Sequence, residues 1–547
     1  MKFKPSTFNF HLSIVLLIII LISFSCSNHS HQDKKIFHYN EQSGIASLDP
    51  AFAKNQSIMW AIHQLYNTLV EVDDHLQLKP SLAKSWELSK DQLEFTFHLR
   101  TDVYFHDNPL FENGKGRLMN ANDVVYSLRR IIDVNVASPG AWIFNNRIDP
   151  KGGFKAINDS TFQLKLIRPF QPILGILSMQ YCSIVPKEAI DYYGNDFRSH
   201  PIGTGPFEMT TWIEGQALLL KRNEHYFEKD SNGNKLPYLD GVSISFFDSK
   251  ATEFLEFQQK RLDFINDIDA SFKDEILTKT GNLKKEWEGK LVLQKHPYLN
   301  IEYLGILVDS NNVLVKKSPL RWQKIRQAIN YGFDRKKLML YLRNSIGTAA
   351  NSGFIPLGMP SFDSAVVKGY HYDPDKARKL LLEAGFSGGN NLPTIKLITI
   401  PIYADLAGYI SNELNLIGIP IQVEVVQKSI LLEQTSKSQA LFFRGSWIAD
   451  YPDAENYLSV FYGKNPAPPN YTRYNNAEYN QLYEKAIEEN NDTIRYQLYR
   501  KMDQLILNDA PIVPLWYDMA IHLVHKNIQS FFPNSLNMLE LRKVIKK

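Results

Sequence analysis

The spacing of apolar positions divides the chain into short elements of two kinds. Leu93, Phe95, Phe97 and Leu99 alternate with other residues, a period of two that predicts a strand with one buried face, and Val242, Ile244 and Phe246 repeat it. Elsewhere the period is that of a helix. After Ser47-Leu48-Asp49-Pro50, read as a strand end and turn, the pattern runs through Ile62, Leu65 and Leu69. Asn120, with Asp123 three positions on, reads as an N-cap opening a helix that carries Val124, Leu128, Ile131 and Ile132. Glu253 to Lys260 reads as a helix and Tyr298 to Leu307 as a strand. Ser318-Pro319 then predicts a cap and first-turn proline for a helix with Trp322, Ile325 and Ile329, and Asp334 caps the next. The clearest helix is Asp373 to Gly385, DPDKARKLLLEAG, with a cap, Pro374 at its first position and a glycine at its stop.

From residue 394 the two periods interleave. A strand at Thr394 to Thr399, a helix at Asp405 to Leu416 ended by Gly418, a strand at Ile421 to Val425 and a short helix at Ile430 to Thr435 lead into an apolar run, Ala440 to Phe443. This order predicts parallel βαβ units, and ligands in open α/β sheets gather beyond the carboxyl ends of the strands. The last strand breaks there into LFFRGSWIADYPDAENYL, Leu441 to Leu458, so Arg444, Trp447 and Asp450 fall at the mouth of the expected crevice. Two amphipathic helices, around Tyr479 to Ile487 and Thr493 to Leu507, precede a strand-like segment at Ile512 to Tyr517.

Composition adds limits. A chain of 547 residues exceeds a single core, so more than one domain is expected. The formal charge of +3 falls to +1 once a leader containing Lys2 and Lys4 is removed, which gives no reason to invoke nucleic acid or an anionic membrane surface. That leader has a basic start and an apolar stretch from Leu12 to Phe24, too short to span a bilayer comfortably. Ser25-Cys26 resembles a bacterial lipobox, with Cys26 lipidated as the first mature residue, although Ser23 and Phe24 depart from the usual pattern. An ordinary signal peptide with an incidental cysteine, or an uncleaved anchor, are the alternatives. Cys182 would then be the one cysteine left and no internal disulfide forms. Ser27 to Lys35 reads as a polar tether, with His29 and His31 as spacer and not metal ligands.

Chemistry of other kinds finds little footing. No G-x-S-x-G, H-E-x-x-H or Walker loop is present, and Cys182 has no evident histidine partner. Ile202 to Phe207, IGTGPF, reads as a tight turn packed on another segment and not as a phosphate loop. In Asp230 to Asp240, DSNGNKLPYLD, Lys235 stands where a calcium loop needs glycine and Gly241 where it needs an acid, so this is a plain loop. His106-Asp107 reads as a solvated turn, and His522 and His525 point to opposite faces of a strand. No catalytic residue, resident metal or cofactor is assigned.

Ordered segments across nearly the whole mature chain resemble the extracytoplasmic solute-binding proteins of peptide ABC transporters, the oligopeptide/dipeptide-binding family 5. They include SLDP at Ser47, LYNTLVEVD from Leu65, PSLAKSWELS from Pro80, NANDVVYSLRRIID from Asn120, LRWQKIRQAINYGFDRKKL from Leu320, RGSWIADYPDAENYL from Arg444 and APIVPLWY from Ala510.

The resemblance implies an α/β, two-lobed periplasmic-binding-protein fold, type II-like with the extra subdomain of the peptide binders, and a ligand cleft between the lobes. Residues 1–25 would be signal peptide and 26–35 lipidated tether. Residues 36–75, 192–300 and 511–547 would form the core of lobe one, 76–191 its extra subdomain and 301–510 lobe two. It also implies a monomer that holds a short peptide in extended form, passes it to permease subunits and touches the membrane through its lipid alone. Asp450, in the W-x-x-D-Y motif, would take the ligand's ammonium, with Trp447 as a pocket wall and Ser446 to Ile448 offering backbone groups. Arg444 is divided between the ligand's carboxylate and a scaffold role beside backbone carbonyls or an acid such as Asp453. Asp453 and Glu455 carry no assigned role. An oligosaccharide or a metal complex such as haem is the alternative ligand, and a surface lipoprotein for interaction or signalling the alternative of another class. The expected location is the bacterial cell envelope, on the periplasmic side, anchored by Cys26.

Overall fold

The computed structural model describes residues 34–42, 44–149 and 151–547; the predicted leader, Cys26, His29 and His31 lie outside them. Strand β1 (Ile36–Asn40) leads to helix α1 (Gln56–Leu65), capped by Asn55, whose side chain accepts the Ile58 N–H. The helical period suggested a continuation to Leu69, but the backbone turns extended at Tyr66. Side chains hold it there: the Thr68 hydroxyl donates to the Val70 carbonyl, and Asn67 accepts from Thr204. Leu69 still enters the core, at 1% exposure, from a loop.

β2 (Ala83–Leu88), β3 (Glu94–Leu99), β4 (Phe154–Asn158) and β5 (Thr161–Lys165) form an antiparallel sheet in the order β2-β3-β5-β4. Phe95, Phe97 and Leu99 are buried, as their alternation predicts. Packed on this sheet is α2 (Ala121–Ile132), closed at its start by the reciprocal Asn120 and Asp123 capping box. A second sheet, β1-β8-β7-β6, joins β6 (Phe207–Ile213), β7 (Ala217–Arg222) and β8 (Gly241–Ser245) to β1.

The IGTGPF turn before β6 lies against the end of α1. A Cβ on Gly203 would fall 2.1 Å from the Leu65 carbonyl oxygen, and one on Gly205 2.4 Å from the Leu65 carbonyl carbon, so only glycine fits. His106 locks this turn and is not in a solvated loop as expected. It is 4% exposed, its Nδ1 accepts the Gly203 N–H at 3.3 Å, and Nε2 lies 3.0 Å from the Gly205 carbonyl. Asp107 alone behaves as the sequence suggested, pairing with Lys115 at the surface.

The third and largest sheet holds β9 (Phe264–Asn266), β10 (Leu291–Ile306), β11 (Ile395–Thr399), β12 (Ile421–Val425), β13 (Phe442–Ile448) and β14 (Ile512–His525), in the order β9-β14-β10-β13-β11-β12, with Thr348–Ala349 added on β14. β11 is parallel to both β12 and β13, the predicted βαβ arrangement, while β13 runs antiparallel to β10. The helices α3 (Gln323–Tyr331), α4 (Pro374–Glu383), α5 (Ala404–Leu416), α6 (Lys428–Ser436), α7 (Ala477–Glu488) and α8 (Asp492–Asp509) follow the predicted segments closely. One cap differs. Ser318 caps a single 3-10 turn, Pro319–Arg321, and α3 begins afresh after Trp322.

β10 and β14 are far longer than the strands predicted there, at 16 and 14 residues. They tie the cores together: Leu299, Ile301 and Tyr303 face the largest apolar cluster, Leu304 and Ile306 a second on the opposite face, and Leu291, Ile521 and Leu523 a third. Their pairing slips out of register between Pro297 and Ile301 and again between Glu302 and Tyr303. The division expected between residues 300 and 301 falls inside β10. No helix among the described residues is long and apolar enough to cross a membrane.

Candidate ligand cleft

Beyond the carboxyl end of β13 the chain opens on a cavity of about 680 Å³. The end of β13 supplies Ile448 and the chain after it Ala449, Asp450 and Pro452; α1 faces it with Met59 and His63; Tyr181 and Tyr298 stand on further segments. This volume lies within the range of sites that enclose small ligands.

Asp450 is the acid that β13 delivers to this space. Its carboxylate reaches the open cavity but has protein on its other sides, so burial raises it above the usual carboxylate range, with a hydrogen bond from Asn456 acting against the rise. Asn456 is itself buried. Its Nδ2 donates to Asp450 Oδ2 at 3.2 Å, while its Oδ1 accepts the Asp450 backbone N–H at 3.3 Å and the Trp447 indole N–H at 2.9 Å. Among the described residues no cationic side chain pairs with Asp450. Burial, then the Asp450 charge, push the neighbouring Tyr181 phenol up to about 12, so it stays neutral and able to donate.

Of the other residues singled out in the sequence, one reaches the cavity. Ile448 lines the cavity; Arg444, Ser446 and Trp447 do not. Trp447 packs against the largest core, with its one donor satisfied by Asn456. Arg444 is held on the scaffold side of its two readings, though by Glu302 and not by Asp453. Its Nη2 donates to both Glu302 carboxylate oxygens at 2.7 and 2.5 Å, and its guanidinium lies 4.0 Å from the Tyr403 ring centre. Ser446 stands opposite Glu302 in the β10 and β13 register. Asp453 and Glu455 form the buried footing of the loop. Asp453 accepts from Arg495 at 3.2 Å and Tyr499 at 2.7 Å, and Glu455 accepts the Tyr451 and Tyr483 hydroxyls.

Several lining residues carried no signal in the sequence. Tyr181 and Tyr298 sit in unremarkable contexts, and the segment 530–543, which supplies one side of the cavity, had no assigned element at all. The calcium-like loop is self-contained: Asp230 accepts the N–H groups of Asn232 and Asn234, both at 2.8 Å, as well as the Tyr238 hydroxyl.

Comparison with known proteins places this geometry. The chain is 28% identical to heme-binding protein A of Haemophilus influenzae, over 86% of this chain and 84% of that one. It is 25% identical to the dipeptide-binding protein of Escherichia coli, over 86% and 87%. The solved structure of HbpA2 from Haemophilus parasuis, at 23% identity, shares the fold with a TM-score of 0.81, covering 94% of this chain and all of that one. The model for bacterial extracellular solute-binding proteins, family 5 (middle region), matches residues 77–469, more than half of the sequence. The chain therefore belongs to the bacterial extracellular solute-binding proteins of family 5.

Proposed function

We propose that the protein captures short peptides with a free amino terminus outside the cytoplasm and presents them to the permease subunits of an ABC transporter. The observation that carries this reading is Asp450: a carboxylate open to the cavity, desolvated behind, oriented by Asn456 and, among the described residues, paired with no side-chain cation. A carboxylate so placed gains most from a cation brought by the ligand, and a peptide ammonium supplies charge and hydrogen-bond donors together. The dipeptide-binding relative supports the same reading. Within it, Cys26 is the lipid attachment point and residues 27–35 the tether, so that the cavity works close to the membrane without any spanning segment. The role is binding and release, with no bond broken in the ligand.

Mass spectrometry of small molecules released by denaturing gently purified protein tests the ligand. A ladder of short peptides is expected, and sugars would overturn the reading. Haem is the second reading, favoured by the similarity to heme-binding protein A; a visible absorption band on the purified protein, with porphyrin in the released fraction, would establish it in place of peptide.

A further inference from the structure

The chain near its carboxyl end forms one wall of the cavity, an irregular segment with a turn at residues 534–537 in which alternate residues face the cavity. Phe532, Asn534, Leu536, Met538, Glu540 and Arg542 line the cavity, while Leu539 and Leu541 between them are buried at 2% and 0% exposure. The backbone is fixed from behind. The Phe531 carbonyl accepts from Gln294 at 2.6 Å, Ser535 from the Leu299 N–H at 2.9 Å, Asn537 from the Trp60 indole at 2.7 Å and Leu539 from Gln64 at 2.7 Å. These four hydrogen bonds hold the segment against the protein behind it.

Arg542 and Glu540, the charged members of the alternating set, are already paired. Arg542 pairs with Glu71 and Glu228, both at 2.8 Å, and with Glu540 at 3.1 Å, and Glu540 also meets His63 at 3.3 Å. Lys79 pairs with Asp73 at 3.2 Å, and Lys54, Asp74 and Lys543 stand exposed. Phe532, exposed, and Leu536 and Met538, partly packed on the core, offer apolar surface to the cavity, as do Met59 and Met179 across it. Methionine adapts its shape to varied apolar groups.

We infer that this carboxyl-terminal wall, through Phe532, Leu536 and Met538, selects peptides whose side chains are apolar. The inference rests on the peptide reading above and adds to it the class of side chain. Each ligand side chain of Leu or Met size laid on the wall removes apolar surface of both partners from water, while a charged one in the same place loses hydration against the apolar atoms of Phe532, Leu536 and Met538.

Isothermal titration of the full chain with tripeptides of free amino terminus tests it, using Leu-Met-Leu, Ser-Ser-Ser, Glu-Glu-Glu and Lys-Lys-Lys. The apolar peptide is expected to bind at least about tenfold tighter than the others, and Leu536→Asn with Met538→Asn to erase most of that gap. Measurable binding with no preference for Leu-Met-Leu in the native protein overturns the wall as selector and leaves the peptide reading standing. Binding of none of the four overturns both. The native comparison needs no variant to fold, and the two asparagines replace side chains that line the cavity and are only partly packed on the core.

Discussion

Asn456 grips Asp450 at two points, donating to its carboxylate at 3.2 Å and accepting its backbone N–H at 3.3 Å. The acid is thereby aimed as well as placed, because a single rigid amide fixes both its side chain and its main chain. The same amide oxygen takes the Trp447 indole N–H, so the aromatic and the acid of the motif share one support.

Removing the charge at Asp450 separates ligand binding from stability. Asp450→Asn is expected to weaken peptides with a free amino terminus by about 1.5–3 kcal/mol, the range of hydrogen bonds to charged groups. It should leave N-acetylated peptides unchanged. Because the carboxyl is raised by burial, the folded state releases its proton less readily than the unfolded chain, and stability from this group falls as pH rises through that raised value. The ligand-free variant should therefore be no less stable than the native protein at neutral pH, the gain staying under about 1 kcal/mol for a group open to solvent on one side. Calorimetry with acetylated and free peptides, beside urea melts, reads both effects; equal loss for both peptides would refute the ammonium role.

Substitution of Asn456 acts through Asp450. Asn456→Ala is expected to cost about 1–3 kcal/mol of stability, since it strands the Trp447 donor in the core. It should also lower affinity for free-amine peptides more than for acetylated ones. A purely structural residue would lower both alike, so the ratio of the two affinities is the measurement that decides.

The pairing of Arg444 with Glu302 predicts a scaffold effect. Their side chains are 14% and 4% exposed, and Glu302→Gln leaves the guanidinium without a counter-charge. The expected cost is about 3 kcal/mol in urea-induced unfolding. Peptide affinity well below the melting temperature should stay within about twofold. A large loss of affinity without loss of stability would return Arg444 to the ligand.

Asp503, on α8, supplies a pH signature remote from the cavity. Burial raises its carboxyl to about 7, against hydrogen bonds from the N–H groups of Phe354 and Ile355 at 2.6 and 3.3 Å. An aspartate in the unfolded chain titrates near about 3.9. Between these values the folded protein keeps a proton that the unfolded chain has lost, so this group's contribution falls as pH rises from about 4 to about 7 and then levels. Asp503→Asn should flatten that slope in melts compared between pH 5 and pH 7.5. An unchanged slope would place the titration elsewhere. Gly353→Ala should destabilise by about 1–3 kcal/mol at any pH, because its Cβ would lie 1.8 Å from Asp503 Oδ2.

Much of the fold was legible because its elements are local. The Asp373 cap, the Asn120 box and the alternation of Phe95 and Phe97 each need only a few neighbouring residues to act, and they form where the periods place them. The site was legible in part. Asp450 could be singled out because the strand period in front of it and the motif around it agree. What stayed hidden depends on distant segments. Glu302 stands 142 positions from Arg444, and His106 lies 97 and 99 positions from the glycines it binds. The wall at 532–542 escaped for a different reason: Leu536 and Met538 face the cavity while Leu539 and Leu541 face the core, so apolar residues occupy both sides and no period of two stands out.

Tyr298 lines the cavity, and it also lies in the stretch of β10 where pairing with β14 slips register between Pro297 and Ile301. A ladder interrupted there has fewer hydrogen bonds fixing the backbone. Tyr298 therefore meets the cavity from a backbone position that has no partner in β14, and a change of cavity shape at this residue breaks no bond of that ladder.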